Sequence, residues 1–141
     1  VPFTVVIALG SNLGNREWYL RAAIAELRRV IHVVRISRIR ETEPVGAPPP
    51  NYLNCVVAGY TDLSPEALMR EVLAIENRLG RRRIYRNSPR TIDLDLILHS
   101  ANRRRSSFLT LPHPRFRGRE FVMEPMRELG LIWELGQPPS S

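Results

Sequence analysis

Ser88-Pro89-Arg90-Thr91-Ile92-Asp93-Leu94-Asp95-Leu96-Ile97-Leu98 reads as a turn running into a buried strand, because Pro89 closes a loop and an apolar run follows it. Upstream lies a helix. Ser64-Pro65-Glu66-Ala67 offers a cap, a proline at the first helical position and an acidic first turn. Leu68, Val72, Leu73, Ile75 and Glu76 continue that helix to a stop near Gly80. Before it, Tyr52 to Tyr60 reads as another strand. The quoted stretch therefore closes a strand–helix–strand unit.

A second such unit precedes it. Phe3 to Leu9 is a strand that ends in the turn-rich Gly10-Ser11-Asn12-Leu13-Gly14-Asn15, where either Asn12 or Asn15 is placed to cap a helix. From Glu17 to Ile31, apolar Leu20, Ala23, Ile24, Leu27 and Ile31 recur at helical spacing. Val33 to Arg40 then alternates as a strand. Glu43-Pro44-Val45-Gly46-Ala47-Pro48-Pro49-Pro50 excludes helix and central strand and reads as a stiff loop. The order β-α-β-β-α-β predicts an α+β fold of the ferredoxin-like split βαβ plan, a mostly antiparallel sheet with helices packed on it. With no repeat or composition break, a single domain over residues 1–141 is expected. Downstream, residues 100–107 read as a hairpin-like link, 109–114 as extended, and 120–129 as a short helix.

Two aspartates interrupt the quoted strand at positions two apart. Strand side chains alternate, so Asp93 and Asp95 project from one face and Leu94 from the other. Two such carboxylates could simply face water, with the leucines in the core. Their place between Ile92 and Leu98, rather than at a strand end, favours a shared cation instead. Oxygen ligands of this kind suit Mg²⁺, which completes its octahedron with water and substrate phosphates. Arg90, just upstream, is a fixed cationic fork of the kind that clamps phosphate.

Charge points the same way. The net charge is +7, and every one of the 21 basic residues is arginine, which favours planar bidentate partners such as carboxylates and phosphates. Six arginines, Arg78, Arg81, Arg82, Arg83, Arg86 and Arg90, fall between positions 78 and 90. Arg78 and Arg82 read as a solvated face; the others form a basic loop suited to a triphosphate. Gly80 supplies either a helix cap or a hinge for that loop. A lone cysteine, Cys55, excludes an intrachain disulfide and reads as a buried, inert thiol. No apolar run approaches a membrane span, and Val5 to Leu9 is too short for a signal-peptide core, so a cytoplasmic protein is expected.

Other signals are weaker alone. The Gly10–Gly14 turn lacks the ending of a P-loop and the spacing of a dinucleotide fingerprint. Tyr52 and Asn54 share a strand face, pairing a stacking ring with an amide that suits a flat heterocycle or merely an ordinary sheet surface. His113, between Pro112 and Pro114, is a stiffly held phosphate donor or simply an exposed ring.

Taken in order, Ala8-Leu9-Gly10-Ser11-Asn12-Leu13-Gly14, Glu41-Thr42-Glu43-Pro44-Val45-Gly46, Tyr52-Leu53-Asn54, Pro89-Arg90-Thr91-Ile92-Asp93-Leu94-Asp95 and Leu111-Pro112-His113-Pro114 resemble the 6-hydroxymethyl-7,8-dihydropterin pyrophosphokinases of folate biosynthesis. The resemblance spans nearly the whole chain, least beyond about Gly130. It implies transfer of pyrophosphate from ATP to the pterin hydroxymethyl group, releasing AMP. By that resemblance Asp93 and Asp95 match ligands of two Mg²⁺ ions, and Arg81, Arg83, Arg90, His113 and Arg119 match triphosphate contacts, Arg81 and Arg90 with catalytic roles. Leu96, through its backbone, Glu76 and Thr110 match nucleotide-site positions. Tyr52 and Phe121 match rings that sandwich the pterin, while Asn54 and the backbone around Thr42 and Val45 match its hydrogen-bonding edge. Small-molecule substrates, no nucleic acid, no membrane and a monomer are the corresponding expectations. Asn87 and Ser88 depart from the family's usual Trp and Gly or Ala.

Two alternatives differ in kind. A ferredoxin-like nucleic-acid-binding module would use Arg103-Arg104-Arg105 and Arg81–Arg83 on a phosphate backbone, but the strands lack an aromatic array for stacking bases. A metal-dependent phosphoryl or nucleotidyl transferase with another acceptor would release ADP or a different product in place of AMP.

Overall fold

The computed structural model describes residues 2–43, 50–80, 91–101, 104–105 and 110–111, the last two pairs as backbone. The elements follow as β1 (Phe3–Ser11), α1 (Arg16–Leu27), β2 (His32–Ile36), β3 (Arg40–Thr42), β4 (Tyr52–Thr61), α2 (Pro65–Arg78), β5 (Asp93–His99), β6 (Arg104–Arg105) and β7 (Thr110–Leu111). The main sheet is five-stranded, in the order β2-β4-β1-β5, with β3 also paired to β4 and every neighbouring pair antiparallel. β1 and β2 both oppose β4 and so run parallel to each other; β4 and β5 both oppose β1. The two strand–helix–strand units therefore interleave, as the split βαβ plan requires. β6 and β7 form a separate short ribbon that pairs the end of the link read over 100–107 with the start of the stretch read as extended over 109–114.

Alternation along the strands sorts the sheet into two faces. Val5, Ile7 and Leu9 of β1, Cys55 and Val57 of β4, and Leu94 and Leu96 of β5 join Leu20, Ala23 and Leu27 of α1 and Leu68, Val72 and Ile75 of α2 in one core. Burying each large aliphatic side chain contributes about 1.5–3 kcal/mol. Both helices thus cover one face. The opposite face carries Val6, Ala8, Gly10, Tyr52, Asn54, Asp93 and Asp95, and the site lies there.

Local chemistry sets the helix ends. Asn15, not Asn12, caps α1 by accepting the Trp18 N–H at 3.1 Å. Ser64 caps α2 by accepting the Ala67 N–H at 3.1 Å, with Pro65 following as expected. Gly80 sits at φ +83°, the left-handed conformation that stops a helix and favours glycine.

Two expected elements change. The helix read to Ile31 ends at Leu27, where the Val30 and Ile31 N–H groups both bond the Leu27 carbonyl and tighten the last turn. Ile31 stays buried, so its apolar spacing reflects the core rather than the helix. The strand read over Val33–Arg40 is two strands, because Ser37 interrupts the ladder. Its hydroxyl accepts the Val56 N–H at 2.8 Å, where a backbone carbonyl would otherwise serve. Residues 44–49, the basic loop 81–90 and the helix expected near 120–129 lie outside the described residues. Among the described residues, no helix is long and apolar enough to cross a membrane.

Candidate active site

Register aligns the candidate residues in rows across the free face. Arg40 of β3 is opposite Asn54 of β4, Asn54 opposite Gly10 of β1, and Gly10 opposite Asp93 of β5. In the adjacent row Val56 is opposite Ala8, and Ala8 opposite Asp95. The central strand thus contributes the two smallest side chains, Gly10 and Ala8, between an aromatic–amide wall and a carboxylate wall. Strands sit about 4.8 Å apart, so the Asn54 and Asp93 backbones are roughly 10 Å from each other.

Gly10 accommodates a close approach. A Cβ built there would lie 3.1 Å from Asn54 Oδ1 and 3.3 Å from Cδ1 of the Tyr52 ring. Tyr52 therefore leans over β1, and glycine makes room for it. The Asn54 amide is oriented from the other side, where its Nδ2 donates to Thr42 Oγ1 at 2.5 Å. That bond directs the amide oxygen toward Gly10. Asn54 is 4% exposed, so its amide is fixed by partners rather than by water.

Asp93 and Asp95 are half-buried, while Leu94 and Leu96 on the other face are buried in the core. Contrary to the sequence expectation, Asp93 stands at a strand end, because the ladder to β1 begins at the Gly10–Asp93 pair. The strand between the carboxylates is held from behind. Glu76 of α2, itself 4% exposed, accepts the Leu94 N–H through Oε2 at 2.7 Å. A side-chain oxygen that accepts a buried peptide N–H satisfies a donor that water cannot reach and fixes the strand in place. Two residues farther on, Leu96 directs its peptide groups to the same outer side of β5, the edge of the main sheet. The backbone of β7, which holds Thr110, runs beside β5. Among the described residues no group of three or more His, Cys, Asp or Glu gathers, and Asp93 and Asp95 form a two-carboxylate set on this face. That set fits Mg²⁺, which is commonly bound by one or two carboxylates and completed by waters and substrate phosphates.

A family model described as 7,8-dihydro-6-hydroxymethylpterin-pyrophosphokinase matches residues 6–130. The chain belongs to this family. A Bacillus subtilis protein named 2-amino-4-hydroxy-6-hydroxymethyldihydropteridine pyrophosphokinase is 44% identical over 126 residues, covering 87% of this chain and 75% of the relative. A Synechocystis sp. protein of the same name is 40% identical over 130 residues, covering 91% of this chain and 67% of the relative. A crystal structure described as HPPK-DHPS in complex with substrates matches with a TM-score of 0.66 at 11% identity, over 92% of this chain and 40% of that chain. At that identity the likeness concerns the fold, and it agrees with the α+β plan read from the element order.

For this pyrophosphokinase family member, the fold brings Thr42, Tyr52, Asn54, Asp93 and Asp95 onto one sheet face. Glu76 and the Leu96 side chain lie on the helix side, Glu76 against the carboxylate strand and the Leu96 side chain in the core. Val45, Arg81, Arg83, Arg90, His113, Arg119 and Phe121 lie outside the described residues, and Thr110 is described as backbone. In sequence the Gly10–Gly14 turn is a weak signal. Gly10 is the centre of the row, a role its flanking strand could have signalled, since a glycine beside an apolar run often marks a close approach.

Proposed function

We propose that the chain catalyses Mg²⁺-dependent transfer of pyrophosphate from ATP to the hydroxymethyl group of 6-hydroxymethyl-7,8-dihydropterin, releasing AMP. The observation that carries this reading is the sheet face on which Tyr52 and Asn54 stand across Gly10 from Asp93, with Asp95 one row away. A span of roughly 10 Å suits a bicyclic heterocycle at one wall with its hydroxymethyl arm reaching phosphates at the other. Family membership supports the substrates, since both relatives carry that activity in their names.

In this reading the Tyr52 ring, with Phe121 opposite, stacks the pterin. The Asn54 amide and the backbone around Thr42 and Val45 read its edge of N–H and C=O groups. Asp93 and Asp95 would hold two Mg²⁺ ions, which would offset phosphate charge and polarise the phosphoryl oxygens. Leu96 through its backbone, together with Glu76 and Thr110, lines the nucleotide site. Arg81, Arg83, Arg90, His113 and Arg119 clamp the triphosphate, and Arg81 and Arg90 offset charge developing on the leaving AMP. The pterin hydroxymethyl oxygen attacks the β-phosphorus, the bond from that phosphorus to the α-phosphate's bridging oxygen breaks, and AMP departs with that oxygen. The hydroxyl proton passes to solvent, so no protein base is demanded. One domain over residues 1–141, acting as a cytoplasmic monomer on small molecules, completes the proposal. Carboxylates on the same face as the heterocycle wall disfavour a nucleic-acid backbone there.

The test is product analysis after mixing the protein with Mg²⁺, ATP and 6-hydroxymethyl-7,8-dihydropterin. AMP should appear in step with pterin pyrophosphate, and Asp95→Ala should lower the rate by on the order of 100-fold. ADP in place of AMP, or no pterin product from folded protein, would sink the reading.

A further inference from the structure

One turn of the chain fastens both ends of the β3–β4 connection. Arg16, the first residue of α1, donates from Nη1 to Glu41 Oε2 at 3.1 Å and to the Asn51 carbonyl at 2.9 Å. Asn12, 1% exposed, donates from Nδ2 to the Pro50 carbonyl at 3.2 Å. Glu41 immediately precedes Thr42, and Pro50 and Asn51 immediately precede Tyr52. The strand secured in this way is short. β3 pairs with β4 over Arg40–Asn54, Glu41–Leu53 and Thr42–Tyr52 and no further. Ladders of that length fray easily unless something else holds them.

The consequence reaches the site face. The Thr42 hydroxyl that orients the Asn54 amide is the last residue of this short ladder. If the ladder opens, the amide loses the partner that fixes which of its ends faces Gly10. We propose that Arg16 is a positioning residue for the heterocycle half of the site: by clamping Glu41 and Asn51 together it keeps Thr42 against Asn54 and so preorganises the edge that reads the pterin. This rests on the pyrophosphokinase reading for the identity of the heterocycle, but the clamp itself does not.

The chemistry favours arginine specifically. One guanidinium nitrogen serves a carboxylate and a carbonyl together while the planar head stays fixed, an arrangement a flexible ammonium holds poorly. The pair is partly exposed, with the Arg16 side chain at 29% and that of Glu41 at 52%. Surface ion pairs contribute little to overall stability. A purely structural role would therefore leave almost no trace, whereas a positioning role would appear in one ligand and not the other.

The experiment compares wild type with Arg16→Met, Arg16→Lys and Glu41→Gln, all checked by thermal melting. Binding is read by titrating the fluorescent 6-hydroxymethylpterin and, separately, the Mg²⁺ complex of α,β-methylene-ATP. Amide hydrogen exchange is followed at Thr42 and Tyr52 without ligand. Arg16→Met should weaken pterin binding about tenfold through lost preorganisation while nucleotide affinity changes less than about twofold. Arg16→Lys should recover only part of that loss, and Glu41→Gln added to Arg16→Met should cost nothing more. Thr42 and Tyr52 amides should exchange faster in Arg16→Met, with β1–β4 amides unchanged. Unchanged exchange, equal weakening of both ligands, or pterin affinity within about twofold of wild type would overturn the proposal. Wild type that fails to bind pterin would instead remove the pyrophosphokinase reading, and the exchange data alone would then decide the clamp.

Discussion

At Gly10 a hydrogen atom stands where any other residue would place a carbon against the Tyr52 ring and the Asn54 amide. Contacts of 3.1 and 3.3 Å to a new Cβ are tight but not prohibitive, so the neighbours would have to give by a few tenths of an ångström. Gly10→Ala is therefore expected to fold, to lose about 1–2 kcal/mol of stability through crowding, and to weaken pterin binding by roughly tenfold as the ring tilts away. Urea denaturation and fluorescence titration of the same preparation check both halves. A variant that binds pterin like wild type would show that the ring and amide do not define the heterocycle wall. Asn12 and Asn15 make the complementary point. Both suit a cap by residue type, and only the path of the chain decides that Asn15 caps α1 while Asn12 turns to Pro50.

At the scale of elements, β5 carries the carboxylates and α2 holds β5. The Glu76–Leu94 bond ties the start of the strand, between Asp93 and Asp95, to a helix anchored in the core. Removing the acceptor leaves a buried N–H without its partner, a loss of about 1–3 kcal/mol. Glu76→Ala should lower the urea midpoint by that amount with little change in m-value, and Glu76→Gln, which keeps an acceptor oxygen, should lose less. Equal midpoints for wild type and Glu76→Ala would remove Glu76 as the tie. Element chemistry was legible where it was local. Ser64-Pro65 and Gly80 mark the ends of α2 because caps and left-handed stops depend on neighbours in sequence. The break between β2 and β3 was not legible, because Ser37 acts on Val56, a residue 19 positions away.

For the whole molecule, Cys55 serves as an internal reporter. It lies in β4 under the helices, 1% exposed, and burial pushes its thiol from an ordinary 9.0 up to about 12. Reaching it requires opening the core, so alkylation by iodoacetamide at pH 8 should follow global unfolding and be negligible in the native protein. The pH dependence has a definite sign. Between about 9 and about 12 the unfolded chain has lost a thiol proton that the folded chain keeps, so stability falls as pH rises through that window. Cys55→Ala should lack this component, giving a shallower alkaline loss by at most about 1.4 kcal/mol per pH unit. Rapid native-state labelling, or identical alkaline slopes for the two proteins, would contradict the buried placement.

The order of strands and helices, the core stripe of each helix, the inert cysteine and the same-face pair of aspartates were determined by sequence, because periodicity and neighbour chemistry are properties of short stretches of chain. Tertiary structure decided which residues meet. Register alone sets Asn54, Gly10 and Asp93 in one row, from three strands well separated along the chain. The hold of Arg16 on Glu41 and Asn51, and of Glu76 on Leu94, likewise arises only once the strands are paired and the helices laid on them. Such contacts depend on where the backbone returns, and no local pattern of residue types encodes that.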